Sequence, residues 1–354
     1  MPGIDTISAR RVPLPVIPDM VERLGELIGQ IPSGRITTPG RLAKGLGDAA
    51  AARWVGHYLL HHDHSPQCAC HRVVRADGQL GQYIRGDGDH KRRQLVNEGI
   101  STSAGRVDVA RFALDEFVSD RPLDALRAWQ QRVAESVSIM PTRGMPTRGM
   151  PTKGMPTNDR PTLLAAVDVS YGRPNEATAA YVLFDLANRE QIWSHTITRD
   201  VAFPYISSYL AFRELPVYVE LLDDVRSLGR LANVVLVDGS GILHPRCAGS
   251  ASCLGVVADV PTVGVTKRLL CGRLEHAELP PGGSCRIAMD ESILGAALRS
   301  SPRSKKPIYI SPGHRIDVAT ALDLVQSTLS TRRLPDPLYW ADRLSREAAQ
   351  SAIS

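Results

Sequence analysis

The chain predicts an α/β protein preceded by a separate helical unit, and three observations carry that expectation. LLAAVDVSYG at 163–172 and ANVVLVDGSG at 232–241 are short apolar runs rich in β-branched residues, each with a carboxylate just before a polar exit. Their length and composition read as buried strands. Helical spacing of apolar residues recurs at 122–137 and within 204–225, beside those runs, while residues 20–62 carry a helix, a turn and two further helices of their own.

Size and composition agree with more than one domain. The 354 residues exceed the usual single-domain range, and 43% hydrophobic content is ample for packed cores. The net charge of +5 is a mild basic excess, and over half of it sits in residues 140–160 around Arg143, Arg148, Lys153 and Arg160, so nucleic-acid affinity does not follow from bulk charge. There is no charged N-terminal region followed by an apolar core, and no apolar stretch of spanning length, so a cytoplasmic protein without membrane association is expected. Six cysteines in a chain of this length do not form a disulfide framework.

Taken in order, residues 1–118 form the first predicted domain. MVERLGELIGQIPSGRITTPGRLAKGLG reads as helix, turn and helix, and DAAAARWVGHYLLHH as a third helix capped by Asp48. Arg53 near that helix start suits a helix-turn-helix lying close to DNA, although Ala-rich helices commonly just pack. HHDHSPQCACH at 61–71 gathers four histidines, an aspartate and two cysteines in eleven residues. Sulfur with imidazole is what zinc prefers, yet the Cys-x-Cys-His spacing is tighter than usual and no second cysteine pair follows.

The second predicted domain covers 119–354. PLDALRAWQQRVAESV at 122–137 is its first helix. MPTRGMPTRGMPTKGMPT at 140–157 is a five-residue repeat whose Pro and Gly permit neither helix nor ladder, so 140–160 reads as a flexible insertion before the first strand. Strands follow at 163–169, 179–186, 191–197 and 232–238. The helical stretch in 204–225 is expected to bring Glu214 onto the face meeting the sheet. His244, Arg246 and Lys267 lie near glycines that let backbone approach a ligand. His314, in ISPGH, falls between a strand and a helix starting near Asp317.

Asp168, Glu214, Asp238 and His314 are thus expected at one metal-binding cleft. Any one aspartate at a strand end is readily a turn or helix cap, but several buried carboxylates need a compensating cation or strong hydrogen bonds. Oxygen ligands suit Mg²⁺ or Mn²⁺. Held by Asp168 and Asp238, such an ion would neutralise charge developing on a phosphate, while Glu214 or His314 orients or deprotonates a water.

DVSY, FPYI with LAFRE, VDGSGILHPR, ASCLGV, PTVGVTK and ISPGHR occur in the order they take in endonuclease V, which this part of the chain resembles from about residue 120 onward. The resemblance implies a ribonuclease-H-like α/β fold and metal-dependent nicking on the 3′ side of deoxyinosine. In it Asp168, Glu214 and Asp238 are the metal-binding carboxylates and His314 the active-site histidine. Tyr205 is the tyrosine of the strand-separating wedge, and His244 and Lys267 line the catalytic face. Ser207 stands where the wedge usually ends in proline.

QCACHRVVRADGQLGQY at 67–83 resembles the DNA-binding, active-site domain of O6-alkylguanine-DNA alkyltransferase and its alkyltransferase-like relatives, over about residues 15–115. This implies a winged-helix-like domain in which Cys70 accepts an alkyl group, His71 is its base through a bridging water, and Glu98 orients the histidine. Arg53 is the finger that replaces a flipped base and Tyr83 belongs to the binding pocket. Ala69, Pro39 and His62 stand where the family has proline, tyrosine and asparagine. The combined expectation is a bifunctional DNA-repair protein acting on DNA with deaminated or alkylated bases, without an obligatory protein partner. The alternatives are a nuclease with a non-catalytic damage-binding domain, or a lesion sensor.

Overall fold

The computed structural model describes residues 12–65, 67–84, 86, 88–139, 163–173, 175–276, 278–304 and 306–351. The repeat at 140–157 lies outside them. Contacts divide the chain into two units, the described residues of Val16–Ala128 with Ala202–Tyr209, and those of Met1–Pro15, Trp129–Val201 and Leu210–Ser354.

Local capping explains the helices of the first unit. Asp19 accepts from Val21 N–H and Glu22 N–H to start α1 (Met20–Gly29), and Thr38 caps α2 (Pro39–Gly45), whose first residue is the proline expected at a helix start. Asp48 accepts from Ala50 N–H and caps a single 3₁₀ turn that runs into α3 (Ala52–His61). After α4 (Gly88–Asn97), β1 (Thr102–Ser103) and β2 (Arg106–Val107) pair as a small antiparallel hairpin before α5 (Val109–Phe112). Ile36, Val74, Leu80, Leu95, Ile100 and Val107 form its core, so helices and hairpin give the winged-helix-like arrangement. In α6 (Pro122–Ser136) residues to Ala128 group with this unit and those from Trp129 with the other.

The second unit is built on one nine-stranded sheet. Its first strands are β3 (Leu163–Tyr171), β4 (Glu176–Asp185) and β5 (Glu190–Asp200), joined antiparallel. β6 (Val235–Asp238) and β7 (Thr262–Thr266) then add parallel to β3. β8 (Arg273–Leu274), β9 (Ser284–Met289), β10 (Ser292–Leu298) and β11 (Ile308–His314) complete the order β5-β4-β3-β6-β7-β11-β10-β9-β8. Three antiparallel strands followed by two parallel ones are the ribonuclease-H-like core. Helices α7 (Leu210–Ser227) and α10 (Asp336–Ser351) pack on β4 and β5, α10 also on β3; α8 (Ser250–Ala258) packs on β7 and β11, and α9 (Val318–Ser327) on β10 and β11.

Burial on both faces is why β3 and β6 are continuous apolar runs instead of alternating ones. Leu164, Ala166, Val182, Leu236, Val263 and Ile310 meet in one core with side chains of α9 and α10. Truncating one of them, such as Leu236→Ala, costs about 2–5 kcal/mol through lost burial and the cavity left behind. The helix expected within 204–225 begins only at Leu210, because Ser208 adopts φ +63°, a left-handed conformation that interrupts helical continuation from Pro204.

Candidate active sites in the two units

In the second unit the register sets the site. Val167 pairs with Val237 on adjacent parallel strands, so the next residues, Asp168 and Asp238, stand at one level about 4.8 Å apart in the sheet. α7 brings Glu214 to them and α10 brings Ser345, whose Oγ donates to Asp168 Oδ2 at 3.0 Å. Ser250 Oγ donates to Glu214 Oε2 at 3.0 Å, and Lys267 Nζ lies 3.1 Å from Asp238 Oδ2.

Asp168 is only 7% exposed and Glu214 6%. Burial, then the charges of Asp238 and Asp342, push Asp168 far above the usual carboxylate range. Burial likewise takes Glu214 to about 8, against the hydrogen bond from Ser250. Asp238 is raised by burial despite the Lys267 ion pair. Carboxylates crowded in this way repel one another and lack solvent, and a divalent cation relieves both penalties. The donor set is oxygen, so it fits a hard divalent cation.

Asp342 was missed by reading the sequence. It lies on α10, paired with Arg346 at 2.7 Å in the i,i+4 pattern of a solvated helix face, and only the docking of α10 on β3 brings its charge to bear on Asp168 and Asp238. No local motif marks such a residue.

His314 requires a correction. It pairs with Thr262 at the start of β7, whereas Asp238 pairs with Val265. It is therefore offset from the carboxylates by roughly 10 Å along the strands, and two strand spacings from β6 across the sheet, roughly 10 Å more. It is 1% exposed, its Nδ1 accepts from Ser138 N–H at 3.2 Å, and its Nε2 lies 3.9 Å from Asp259 Oδ1. β11 runs antiparallel to β7, so the end of its motif points away from the exits of β3 and β6. His244 is buried in the loop after β6, its Nδ1 accepting from Arg246 N–H at 3.2 Å. Tyr205 is 61% exposed, in a segment, 202–209, that groups with the first unit. There Tyr209 Oη donates to Asp48 Oδ2 at 2.6 Å.

In the first unit, a cavity of about 330 Å³ opens at Cys70, between Pro39, Leu60, Val74, Gly81 and Tyr83. That volume lies at the small end of ligand pockets. Tyr83 Oη donates to Gln94 Oε1 at 3.1 Å, and buried Lys91 Nζ donates to Val73 O and Leu80 O at 2.6 Å each. His71 Nε2 lies 2.8 Å from Glu98 Oε1, and Arg72 Nη2 holds the same oxygen at 2.7 Å. His71 Nδ1 is buried without a protein partner among the described residues, the nitrogen a bridging water would use. Burial pushes Glu98 up, but the bonds from Arg72 and His71 outweigh it and hold the carboxyl below its usual range.

Cys70 Sγ lies 3.4 Å from His64 Nδ1, and His62 Nε2 3.3 Å from Cys68 Sγ. The hydrogen bond from Cys70 holds Cys68 low, and the same bond together with burial pushes Cys70 up. Arg53 is exposed on α3.

Comparison with known proteins agrees with this division. The endonuclease V family model matches residues 151–343, and that of the 6-O-methylguanine DNA methyltransferase DNA-binding domain matches 19–100. A bifunctional methyltransferase/endonuclease of Picrophilus torridus is 31% identical over 310 residues, 87% of this chain and 90% of that one. Endonuclease V of Rippkaea orientalis is 40% identical over 185 residues, 51% of this chain and 78% of its own. The crystal structure of the catalytic domain of human endonuclease V superposes with a TM-score of 0.59 at 32% identity, covering 67% of this chain and 99% of that one. The chain belongs to the endonuclease V family, and it joins to that nuclease an alkyltransferase-type DNA-binding domain, as the bifunctional methyltransferase/endonucleases do.

Proposed function

We propose that the protein repairs DNA by two reactions, with functional domains at 1–118 and 119–354. The second domain nicks DNA on the 3′ side of deoxyinosine. The observation that carries this reading is the convergence of Asp168 and Asp238, level on adjacent strands, with Glu214 and Asp342. Asp168, Asp238 and Glu214, with Asp342 beside them, would hold Mg²⁺ or Mn²⁺. When bound, the ion supplies neutralisation of charge at the phosphate being cut. Glu214, kept in place by Ser250, orients the attacking water, and Lys267 adds positive charge beside Asp238. Tyr205 on its exposed loop serves as the wedge beside the deaminated base, and His244 supports the loop after β6.

In the first domain Arg53 occupies the place of a flipped base, and the cavity bounded by Tyr83 receives it. The Cys70 thiol passes its proton through a water to His71, oriented by Glu98. The sulfur then attacks the alkyl carbon, the S–C bond forms as the bond to guanine O6 breaks, and the proton ends on the guanine. One protein molecule acts once. A second reading, damage binding without transfer, is favoured by one observation: Pro39, a wall of the cavity, replaces the tyrosine expected to rotate the nucleotide.

The test is incubation with Mg²⁺ and two labelled duplexes, one bearing deoxyinosine and one O6-methylguanine, followed by denaturing electrophoresis and protein mass spectrometry. Nicking of the first duplex and a methyl mass gain from the second are expected. Nicking without mass gain supports damage binding alone, and no nicking with either Mg²⁺ or Mn²⁺ overturns the nuclease.

A further inference from the structure

We propose that His62, His64, Cys68 and Cys70 form a tetrahedral site for a borderline-soft divalent metal, zinc foremost, and that this site includes the candidate alkyl acceptor. One ligand atom from each of the four residues lies within 4.8 Å of all the others. The two close nitrogen–sulfur pairs, 3.3 Å for His62 with Cys68 and 3.4 Å for His64 with Cys70, approach the separation of about 3.5 Å that Zn–S and Zn–N bond lengths impose on a tetrahedron.

The surroundings also prepare the ligands. His62 Nδ1 lies 3.1 Å from Tyr58 O; donating to that carbonyl fixes the tautomer that leaves Nε2 for a metal, as second-shell bonds do in zinc sites. The His62 ring stacks on Tyr58 at 5.0 Å, and the His64 ring meets Tyr83 edge-on at 6.0 Å. Each pair joins residues six apart, and the two pairs are offset by two, so residues between the end of α3 and the 3₁₀ turn Ala69–Arg72, which carries Cys70, supply all four donors.

Binding would release the remaining thiol protons to solvent and leave both sulfurs as thiolates. A ligated Cys70 would be a thiolate sharing an electron pair with the metal, and a metal-bound thiolate can still be alkylated, so metal loading would change the rate of transfer through the state of Cys70. That consequence rests on Cys70 being the acceptor; the metal site does not.

The test is titration of the full-length, reduced, metal-free protein with Co²⁺. One equivalent is expected to give sulfur-to-cobalt charge transfer in the near ultraviolet and the intense visible bands of a tetrahedral centre, both removed by stoichiometric Zn²⁺. Cobalt on the carboxylates would show neither. Cys68→Ser and His62→Gln should each weaken binding at least tenfold, while Cys271→Ser, outside the cluster, keeps the spectrum. Absence of sulfur-to-cobalt bands in the parent protein, or a spectrum unchanged in both cluster variants, overturns the site. Methyl transfer from O6-methylguanine DNA should differ at least tenfold in rate between zinc-loaded and chelator-treated protein, and equal rates with zinc bound would remove Cys70 from the ligand set. Transfer from neither form counts against the acceptor alone, because the cobalt spectrum judges the metal site separately.

Discussion

The carboxylate cluster and the sulfur–imidazole cluster reach high local density of reactive groups by opposite means. Asp168 and Asp238 are positioned by strand register, so their spacing is fixed by the sheet, and burial with mutual repulsion raises them. His62, His64, Cys68 and Cys70 come from one short stretch of sequence after α3, Cys70 from a 3₁₀ turn, and their contacts are between residues six apart in sequence. The lesson is that hard anionic donors need a rigid frame to hold them together against repulsion. Donors that are neutral until deprotonated can be gathered by a loop.

The largest effect expected from separating the two regions is that of Cys70→Ser, which leaves no acceptor and should abolish methyl gain by mass spectrometry while nicking is retained. Asp238→Asn should do the reverse, lowering Mg²⁺-dependent nicking of a deoxyinosine duplex by about 10³-fold with DNA binding by gel shift and alkyl transfer intact. Either variant losing both activities would break the comparison by showing that the sites depend on each other.

A smaller effect is expected at Glu98. Glu98→Gln removes the charge that steadies His71 and Arg72, and single-turnover transfer should slow by about 10–100-fold. Because the folded-state carboxyl is held below its ordinary 4.5, its contribution to stability is present above that value and is lost as pH falls through the lowered one. Acid unfolding of Glu98→Gln, followed by circular dichroism, should therefore show a weaker loss than the parent in that window.

The carboxylates give the opposite sign. Asp168 and Glu214 are raised in the fold, so the metal-free protein binds protons there that the unfolded chain has released; stability is greatest below their ordinary values of 3.8 and 4.5 and is lost as pH rises toward about 7 and 8. Calorimetry of the metal-free protein should give a lower Tm at pH 8 than at pH 5.5 for the nuclease transition, with Mg²⁺ restoring it. Asp168→Asn should raise the metal-free Tm at pH 8 by about 2–4 °C while removing nicking. The smallest change in activity is expected for His314→Asn. It should leave nicking within about threefold, because the residue stands away from the carboxylates, yet lower the Tm through its lost contacts with Ser138 and Asp259. A hundredfold loss of nicking would return His314 to the active site.

Much of both regions was legible in the residue order. The apolar runs at β3 and β6 mark buried strands, and their terminal aspartates mark an exit from the sheet. Asp48 and Asp317 cap where their side chains predict. Only register separated Asp238 from His314, since a motif at a strand end does not say which end of the sheet that is. Asp342 was invisible for the complementary reason: its helix carries an ordinary solvated pattern, and its approach to Asp168 depends on a contact between residues far apart in the chain.

From its residues alone, this protein's strand carboxylates and the composition of its Cys/His segment are determined, because strand period, capping chemistry and side-chain identity are local properties, and its two domain types are legible as motifs that resemble two families. The tertiary structure decided which carboxylates share a level, that His314 stands elsewhere, that Asp342 joins them, and that two histidines turn toward two sulfurs. Those are matters of register, docking and side-chain direction, set by packing across the whole sheet and by the path of a loop.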